Sequence, residues 1–464
     1  MGSIRPLLLG WPALAALTIG IPCTAAAQRD TAQRADHSAL IATFDSAWLA
    51  MSRTYWDTAL VNGRWRAAHD SLRLLARTAT DEDAMRAMVR ALMMVPDESH
   101  FALIPRSAVT ETGVGSDASA AGAPGAPGRP GTTGLDVRMI GDTLVVWRVA
   151  AGSPAAQAGI TPGTIITRLG TIGLDSIRTL LVPSAAGDSA KLRQLVNTVA
   201  IGRLGGRAGD SLRLTVQAPV NGRNGTAREH LLVRAPLRGH ATRFGNLPTL
   251  VVRTTLDSVP LSGASLTYAP VIGFSAWFPV ISPELDERLF AVRGAPAVII
   301  DLRGNPGGVV GMLAGVSGHF LDTAASLGVM RARGATIGFA ANPRRVSRAG
   351  ERVPVITAPL AILVDGFTGS TSEFFASGMQ ALGRARVFGV SSAGQALPAV
   401  ASRLPNGDVL MHAIADHEDA KGRRVEGVGV QPDEVTPLTR ADLIAGKDAT
   451  LEAARRWIMT QIPN

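Results

Sequence analysis

Two serines and a glutamate stand at the start of a predicted helix. In "GSTSEFF", residues 369–375, Ser370 and Ser372 follow the apolar run 360–364, and Glu373 comes directly after them. A hydroxyl at a strand-to-helix turn can act as a nucleophile if a neighbouring group accepts its proton. The sequence therefore raises two questions: which serine attacks, and which side chain is the base.

A second stretch could hold the negative charge that such an attack creates. "AVIIDLRGNPGG", residues 297–308, ends an apolar strand with Gly307 and Gly308. Consecutive glycines let the backbone turn its amides outward. A phosphate cradle is one interpretation, but neither a GxGxxG nor a Walker spacing is present. An oxyanion site is the better one, since such donors contribute about 3 to 4 kcal/mol of transition-state stabilisation. An ordinary tight turn is the alternative.

Few side chains are available as the base. The three lysines lie far from the serines along the chain, at Lys191, Lys421 and Lys447. A histidine is better suited, because its pKa of about 6.5 is near the operating pH. Eight histidines are present, and most histidines in proteins are core or surface residues.

Two histidines near acidic residues could suggest a metal site. These are His412 and His417, close to Glu418 and Asp419. Their spacing fits no standard zinc pattern, so we expect no metal and no other cofactor.

The N-terminal residues predict export. Arg5 precedes an apolar stretch at 7–22, and a run of small residues gives a cleavage site after Ala27. A membrane anchor is the alternative, but prolines and a glycine interrupt the stretch. We expect residues 1–27 to be a signal peptide, which leaves a mature chain without a membrane span in the periplasm or the external medium. Cys23, the only cysteine, lies in this segment, so the mature chain would have no thiol nucleophile and no disulfide.

Composition indicates a multidomain globular protein. The 464 residues suggest about three domains, and the 46% hydrophobic content allows a sizeable core. The net charge of +9 invites a nucleic-acid interpretation. Because the arginines are scattered and not interleaved with aromatics, we expect a solvated surface and no nucleic-acid partner.

The elements that must position these residues follow from periodicity. Helical spacing of Phe44, Trp48, Met51 and Tyr55 predicts a helical domain at 28–112. The stretch 113–133 contains "SDASAAGAPGAPGRPGTT", which has little to bury and predicts a linker.

A β-rich domain is predicted for residues 134–237. "GSPAAQAGI" followed by "PGTII" resembles a PDZ domain, although Thr164 stands where an aspartate is usual. PDZ domains capture a peptide as an added strand and hold its terminal carboxylate with loop amides. The resemblance places that loop at Gly134 and Leu135. A small β-rich spacer is the alternative.

An α/β core is predicted for residues 238–464, with a helix at its C-terminal end. Apolar strands alternate with helices, which indicates a mainly parallel sheet whose catalytic groups gather beyond the strand carboxyl ends. The predicted strands are 249–252, 271–277, 297–301 and 360–364, and the predicted helices are 309–321 and 373–382.

The glycine loop, "VDGFTGSTSEF" and "EGVGVQPDEVTP" (426–437) together resemble the serine peptidases that include C-terminal processing proteases and tricorn core proteases. The resemblance spans nearly the whole mature chain and implies a crotonase-like core, a polypeptide substrate and peptide-bond cleavage. It assigns the nucleophile to Ser370, three residues before the glutamate of the turn, and makes Ser372 a helix-start residue. The amide of Thr371 and one from Gly307 or Gly308 would form the oxyanion hole.

The predicted base differs from the lysine that the processing proteases use. They carry a lysine 25 positions after the serine, and that position is Gln395 here, whose amide cannot accept a proton at neutral pH. The tricorn-like branch uses a histidine that follows a serine, with a glutamate orienting that serine. The resemblance therefore assigns His100 as base, with Ser99 and Glu426 behind it; His319 is the reserve candidate. A catalytically inactive protein that binds peptides or apolar ligands is the alternative function.

Overall fold

The computed structural model describes residues 37–107, 129–185, 187–242, 250–261 and 267–462. The predicted signal peptide and Cys23 lie outside these ranges, as does most of the predicted linker. The chain divides into two compact units. The first contains the residues up to Leu237 together with Val400–His412, and the second contains Arg238–Arg243, Thr249–Ala399 and Ala413–Asn464.

The first unit begins with the predicted helical domain. The four residues whose spacing predicted it are all buried, which confirms the periodicity. Asp81 caps one helix, its carboxylate accepting from the amide of Ala84. The helices are His37–Thr54, Thr58–Leu60, Arg66–Ala76 and Glu82–Met93, with a π-helical turn at Val61–Trp65.

A hairpin from the predicted core belongs to the first unit. The strand Ala102–Ile104 pairs with Val409–Ala413, which pairs in turn with Ala399–Arg403. Asp408 anchors this hairpin, because its buried carboxylate accepts from Arg86 of the helical domain. The core predicted as 238–464 is therefore not continuous: residues 400–412 leave it, and pairing between strands distant in the chain gave no signal in the sequence.

The middle of the first unit is an antiparallel sheet flanked by helices, as expected of a β-rich domain. Ser153 caps a short helix by accepting from the amide of Ala156. The strand order is Arg228–Val233, Ser211–Gln217, Ile165–Leu169, Thr143–Val149 and Leu135–Ile140, with Ile172–Gly173 beside the third. The helices are Pro154–Gln157, Leu174–Ala185 and Ser189–Leu204.

Smaller strands complete the first unit. Pro130–Thr132 lies between Ala235–Pro236 and Gly206–Arg207, so ordered structure already begins inside the segment 113–133. A short hairpin joins Pro219–Val220 to Arg223–Asn224.

The second unit is built on a six-stranded, mainly parallel sheet, which confirms the predicted α/β core. Only the first strand of the sheet is antiparallel to its neighbour. The order is Thr254–Leu261, Thr267–Phe274, Val298–Asp301, Leu360–Val364, Ala385–Gly389 and Glu434–Val435. A second sheet contains Ala335–Ala341, Ala325–Ala332 and Ala415–Asp419, and His240–Thr242 pairs with Leu250–Val252.

Alternation along the central strand explains why the large sheet is covered on both faces. Leu360, Ile362 and Val364 point into one hydrophobic cluster, whereas Ala361 and Leu363 point into another. The helices of this unit are Ser282–Ala291, Met312–Ser317, Thr371–Ala381, Arg440–Ile444 and Ala449–Gln461, with a 3-10 turn at Pro279–Ile281.

The predicted helix 309–321 is much shorter in the structure, where it spans Met312–Ser317. At its start, the Val309 amide donates to the carbonyl oxygen of Trp277 (2.7 Å), so the chain is still extended there. At its end, a Cβ on Gly318 would lie 2.4 Å from the Asn342 oxygen, which marks a close backbone approach. Tertiary contacts at both ends thus override the helical pattern.

Candidate active site

Ser370 holds a backbone conformation that non-glycine residues rarely adopt. It lies between the strand Leu360–Val364 and the helix Thr371–Ala381, with φ 51° and ψ −122°. Such strain costs about 1–3 kcal/mol and persists where surrounding contacts enforce it. Here the Ser370 amide donates to two acceptors, the Gln395 carbonyl oxygen (2.8 Å) and Glu373 Oε2 (2.9 Å). The half-buried serine is thereby held at the helix N-terminus.

The glycine loop packs directly against this serine. Gly307 has φ 97°, and a Cβ on it would lie 2.6 Å from Ser370 Cβ and 2.9 Å from the Thr371 nitrogen. The Thr371 hydroxyl donates to the Gly308 carbonyl oxygen (2.9 Å). These contacts fix two backbone segments side by side, and only glycine fits at the point of contact.

One of the two candidate glycine amides is already engaged. The Gly307 amide donates to Asn305 Oδ1 (3.0 Å), while Asn305 Nδ2 donates to the Phe274 oxygen (2.8 Å). In the described part of the chain, the amides of Gly308 and Thr371 donate to no protein acceptor. Of the two glycine amides, only that of Gly308 lacks a protein acceptor among the described residues. Asn305 was missed from the sequence, although an asparagine before Pro-Gly-Gly is a turn signal.

Ser372 has a different role from Ser370. It is fully buried in the first turn of the helix, and its hydroxyl accepts from Trp277 Nε1 (2.8 Å). A hydroxyl held by a core indole is poorly placed to attack a substrate. The two serines of the motif thus lie in different environments.

The position that carries lysine in the processing proteases lies next to Ser370. The Gln395 oxygen accepts from the Ser370 amide, and the following residue, Ala396, donates its amide to Glu426 Oε2 (2.7 Å). Glu426 is buried, with 4% of its surface exposed. The second unit therefore brings together Ser370, Thr371, Gly307, Gly308 and Glu426.

Ser99 and His100 lie in the first unit, on a loop with unusual backbone angles. Asp97 has φ 56° and His100 has φ 63°. The loop is anchored by Phe101, which is fully buried and packs edge-on against Trp65. Ser99 Oγ lies 2.7 Å from His100 Nδ1, and burial lowers the pKa of His100 to about 4. The imidazole is therefore neutral at pH 7 and can accept a proton.

Residues 274–436 match the profile of peptidase family S41. A carboxyl-terminal-processing protease from a Picosynechococcus species is 24% identical over 84% of this chain and 82% of its own length. Carboxyl-terminal-processing peptidase 2 of Arabidopsis thaliana, a chloroplastic protein, is 24% identical over 85% of this chain and 68% of its own.

The chain contains a peptidase family S41 domain and is similar to carboxyl-terminal processing proteases.

Solved structures share the fold of this S41 peptidase. The photosystem II D1 C-terminal processing protease has a TM-score of 0.55 at 19% identity, covering 90% of this chain and 97% of that one. Mature CPAF complexed with lactacystin also has a TM-score of 0.55, at 12% identity, covering 92% and 98%.

Two other histidines of the S41 peptidase, His319 and His417, lie in structural surroundings. His319 is fully buried between Asp286, 3.2 Å from its Nε2, and Arg293, 3.1 Å from its Nδ1. His417 stacks on Phe374 with a ring separation of 3.8 Å. No cluster of metal-ligating side chains occurs within the described ranges.

Gly134 and Leu135 occupy the turn into an edge strand of the middle sheet. Gly134 has φ 81°, and a Cβ there would lie 2.1 Å from Ser153 Cβ. Leu135 opens the strand Leu135–Ile140, against which the helix Ser189–Leu204 packs. Peptide binding at this turn stays a prediction.

Proposed function

We propose that the protein is an exported endopeptidase that cleaves extended polypeptides, with Ser370 as nucleophile and His100 as general base. The observation that carries this proposal is the strained Ser370 beside the amides of Gly308 and Thr371, which have no acceptor among the residues that the structure describes. Donors preorganised around a developing oxyanion usually make the greatest single contribution to lowering the barrier of acyl transfer.

The reaction follows serine-peptidase chemistry. Ser370 Oγ forms a bond to the scissile carbonyl carbon while His100 takes the hydroxyl proton. The Gly308 and Thr371 amides hold the oxyanion, and His100 then protonates the leaving amine as the peptide bond breaks. Water, deprotonated by the same imidazole, hydrolyses the acyl-enzyme and regenerates Ser370.

The Ser99–His100 contact supports the assignment of the base. If Nδ1 donates to Ser99 Oγ, Nε2 carries the lone pair that accepts the serine proton. Ser99 then needs an acceptor for its own proton, and a carboxylate is the best acceptor. Glu426, whose Oε2 accepts from the Ala396 amide, is the candidate.

Chain connectivity also supports His100. The strand Ala102–Ile104 begins two residues after His100 and pairs with the hairpin strand Val409–Ala413. That hairpin is inserted in the chain between Ala396, beside Ser370, and Glu426. The histidine loop therefore pairs with a hairpin that interrupts the chain between two segments of the proposed site, which supports the assignment.

A cavity in the second unit is a candidate for a substrate side chain. It has a volume of about 320 Å³ and is bordered by Val309, the residue after Gly308. Leu285, Met312 and Val316 make it largely apolar, while its charged pair, Asp286 and Arg344, is joined at 2.6 Å. Because that pair leaves no unbalanced charge, we expect an apolar residue beside the scissile bond.

Export rests on the sequence of the first 27 residues. No helix among the described residues is long and apolar enough to span a bilayer. N-terminal sequencing of the protein secreted or released from the envelope would test cleavage after Ala27.

A fluorophosphonate probe tests the enzyme directly. We expect covalent labelling of the wild type that disappears in Ser370→Ala, persists in Ser372→Ala and falls at least 100-fold in His100→Ala. Labelling in His100→Ala at the wild-type rate would reject the base. The replacement of lysine by Gln395 favours a second candidate, an inactive binding protein, and absence of labelling in the folded wild type would support it.

A further inference from the structure

One buried carboxylate at the site takes no part in the proposed proton transfers. Glu373 is fully buried in the first turn of the helix Thr371–Ala381. Its Oε1 accepts from Ser392 Oγ (2.5 Å) and the Gly394 amide (2.8 Å), and its Oε2 accepts from the amides of Ser370 (2.9 Å) and Gln395 (3.0 Å). It makes no ion pair with any described residue.

An ionised carboxylate can accept from all four donors at once. It accepts at both oxygens and donates at neither, whereas a protonated carboxyl or an amide presents hydrogen on one side. In either orientation, a glutamine at this position would turn its NH2 group towards two N–H or O–H donors. A buried donor left without an acceptor costs about 1–3 kcal/mol.

The four donors belong to segments that must stay aligned for the reaction. One is the amide of the strained Ser370, and the other three belong to the 392–395 loop. Ser392 Oγ also accepts from the Val430 amide (2.6 Å), which extends the network to the segment after Glu426. The carboxylate therefore fastens the nucleophile to both neighbouring loops.

We propose that Glu373 is the positioning residue of the site: it keeps Ser370 in its high-energy conformation at the helix N-terminus, beside the Thr371 amide. This inference rests on the proposed function, because it takes Ser370 as the nucleophile. A capping glutamate that only stabilises the helix would affect folding and leave the chemistry of the folded enzyme intact.

The test measures fluorophosphonate inactivation as a saturating process, with kinact for the covalent step and KI for prior binding. For Glu373→Gln we expect kinact to fall at least 100-fold while KI stays within threefold of the wild type. Glu452→Gln, an exposed glutamate on the C-terminal helix, is the matched control and should leave both constants unchanged. An unchanged kinact in folded Glu373→Gln would overturn the inference.

A second variant covers the case in which Glu373→Gln does not fold. Ser392→Ala removes one of the four donors and keeps the carboxylate, and we expect a fall of about tenfold in kinact at constant KI. Wild-type kinact in Ser392→Ala alongside a misfolded Glu373→Gln would assign Glu373 to folding alone and reject the proposal. Where both variants fold, their double mutant should lose no more than Glu373→Gln alone.

Failure of the nucleophile assignment and failure of the positioning role give different labelling results. If the folded wild type is not labelled, the nucleophile assignment falls and the positioning role falls with it. If the wild type is labelled, Ser370→Ala is not, and Glu373→Gln reacts at the wild-type rate, then only the positioning role is rejected.

Discussion

The Gln395 carbonyl oxygen accepts a hydrogen bond from the Ser370 amide at 2.8 Å. Gln395 stands where the resemblance to the processing proteases expects a lysine. It is thus a backbone neighbour of Ser370, the proposed nucleophile, and its side chain is only half-buried.

The contact between residue 395 and Ser370 predicts that a lysine introduced at 395 can replace His100 as the base. In a His100→Ala background, Gln395→Lys should raise the fluorophosphonate labelling rate at least tenfold, because the backbone of residue 395 contacts that of Ser370 and an amine there is expected to accept the serine proton. Gln395→Met, which cannot accept a proton, is the control. Equal rates for the two double mutants would show that the side chain at 395 does not reach Ser370.

The glycine loop gives a steric prediction. Gly307→Ala would place a Cβ 2.6 Å from Ser370 Cβ at a residue with φ 97°, so we expect at least a 100-fold loss of labelling. Gly366→Ala, where a Cβ would meet nothing within 4 Å, should react like the wild type. A labelling rate for Gly307→Ala within threefold of the Gly366→Ala rate would contradict the close packing of Gly307 against Ser370.

The pH profile of kinact/KI should contain two acid limbs. Burial raises the pKa of Glu373 to about 7, although its four donors oppose this, and burial lowers the pKa of His100 to about 4. As pH falls through 7 the carboxylate protonates, so log kinact/KI should decline with a slope of one, and the slope should steepen to two below pH 4 as the imidazole protonates.

The contribution of Glu373 to the free energy of unfolding should change with pH in the opposite direction to activity. Its pKa in the folded state lies above the 4.5 of an ordinary glutamate, so the native state binds more protons between these values. The free energy of unfolding of the wild type relative to Glu373→Gln should therefore rise as pH falls from 7 to 4.5, while activity falls. Denaturant unfolding at several pH values measures this, and a parallel decline of both quantities would contradict it.

Other titratable groups on the elements packed against the helix of Glu373, and Glu426 on the neighbouring loop, must be considered in fitting these profiles. None of them hydrogen-bonds to Glu373. They are Arg331, Arg386, Asp416, His417, Glu418, Asp419 and Glu426. Burial also lowers the pKa of His417 to about 4, so His417→Phe, which keeps the stacking on Phe374, should leave the limb near pH 7 in place.

The second serine of the motif supports packing. Ser372→Ala leaves Trp277 Nε1 buried without an acceptor, so we expect the free energy of unfolding to fall by about 1–3 kcal/mol while labelling persists. Ser377 is a matched control on the same helix, because its buried hydroxyl has no hydrogen-bond partner among the described residues. Ser377→Ala should change stability by less than about 0.5 kcal/mol.

The apolar cavity predicts a specificity change. Met312→Trp would fill much of the space beside Val309, so peptides with large apolar residues at the scissile bond should lose at least tenfold in kcat/KM. Peptides with alanine there should lose less than threefold. Equal losses for both peptide sets would remove the cavity from the substrate path.

Local patterns in the sequence were sufficient for much of this protein. Alternation and apolar runs predicted the strand Leu360–Val364 and the mainly parallel sheet, and helical spacing predicted the N-terminal helices. Ser370, Thr371 and the two glycines followed from short motifs, because each motif lies within one stretch of chain. Periodicity and turn chemistry act between residues that are near neighbours, so the sequence alone determines them.

Contacts between distant segments were decided only by the tertiary structure. The membership of residues 400–412 in the first unit and the three bonds of Glu373 to the 392–395 loop depend on where the chain folds back. So does the difference between Ser370, which is strained and accessible, and Ser372, which is locked to Trp277. Two residues of the same type thus differ in accessibility, because burial and hydrogen bonding are properties of the folded surroundings.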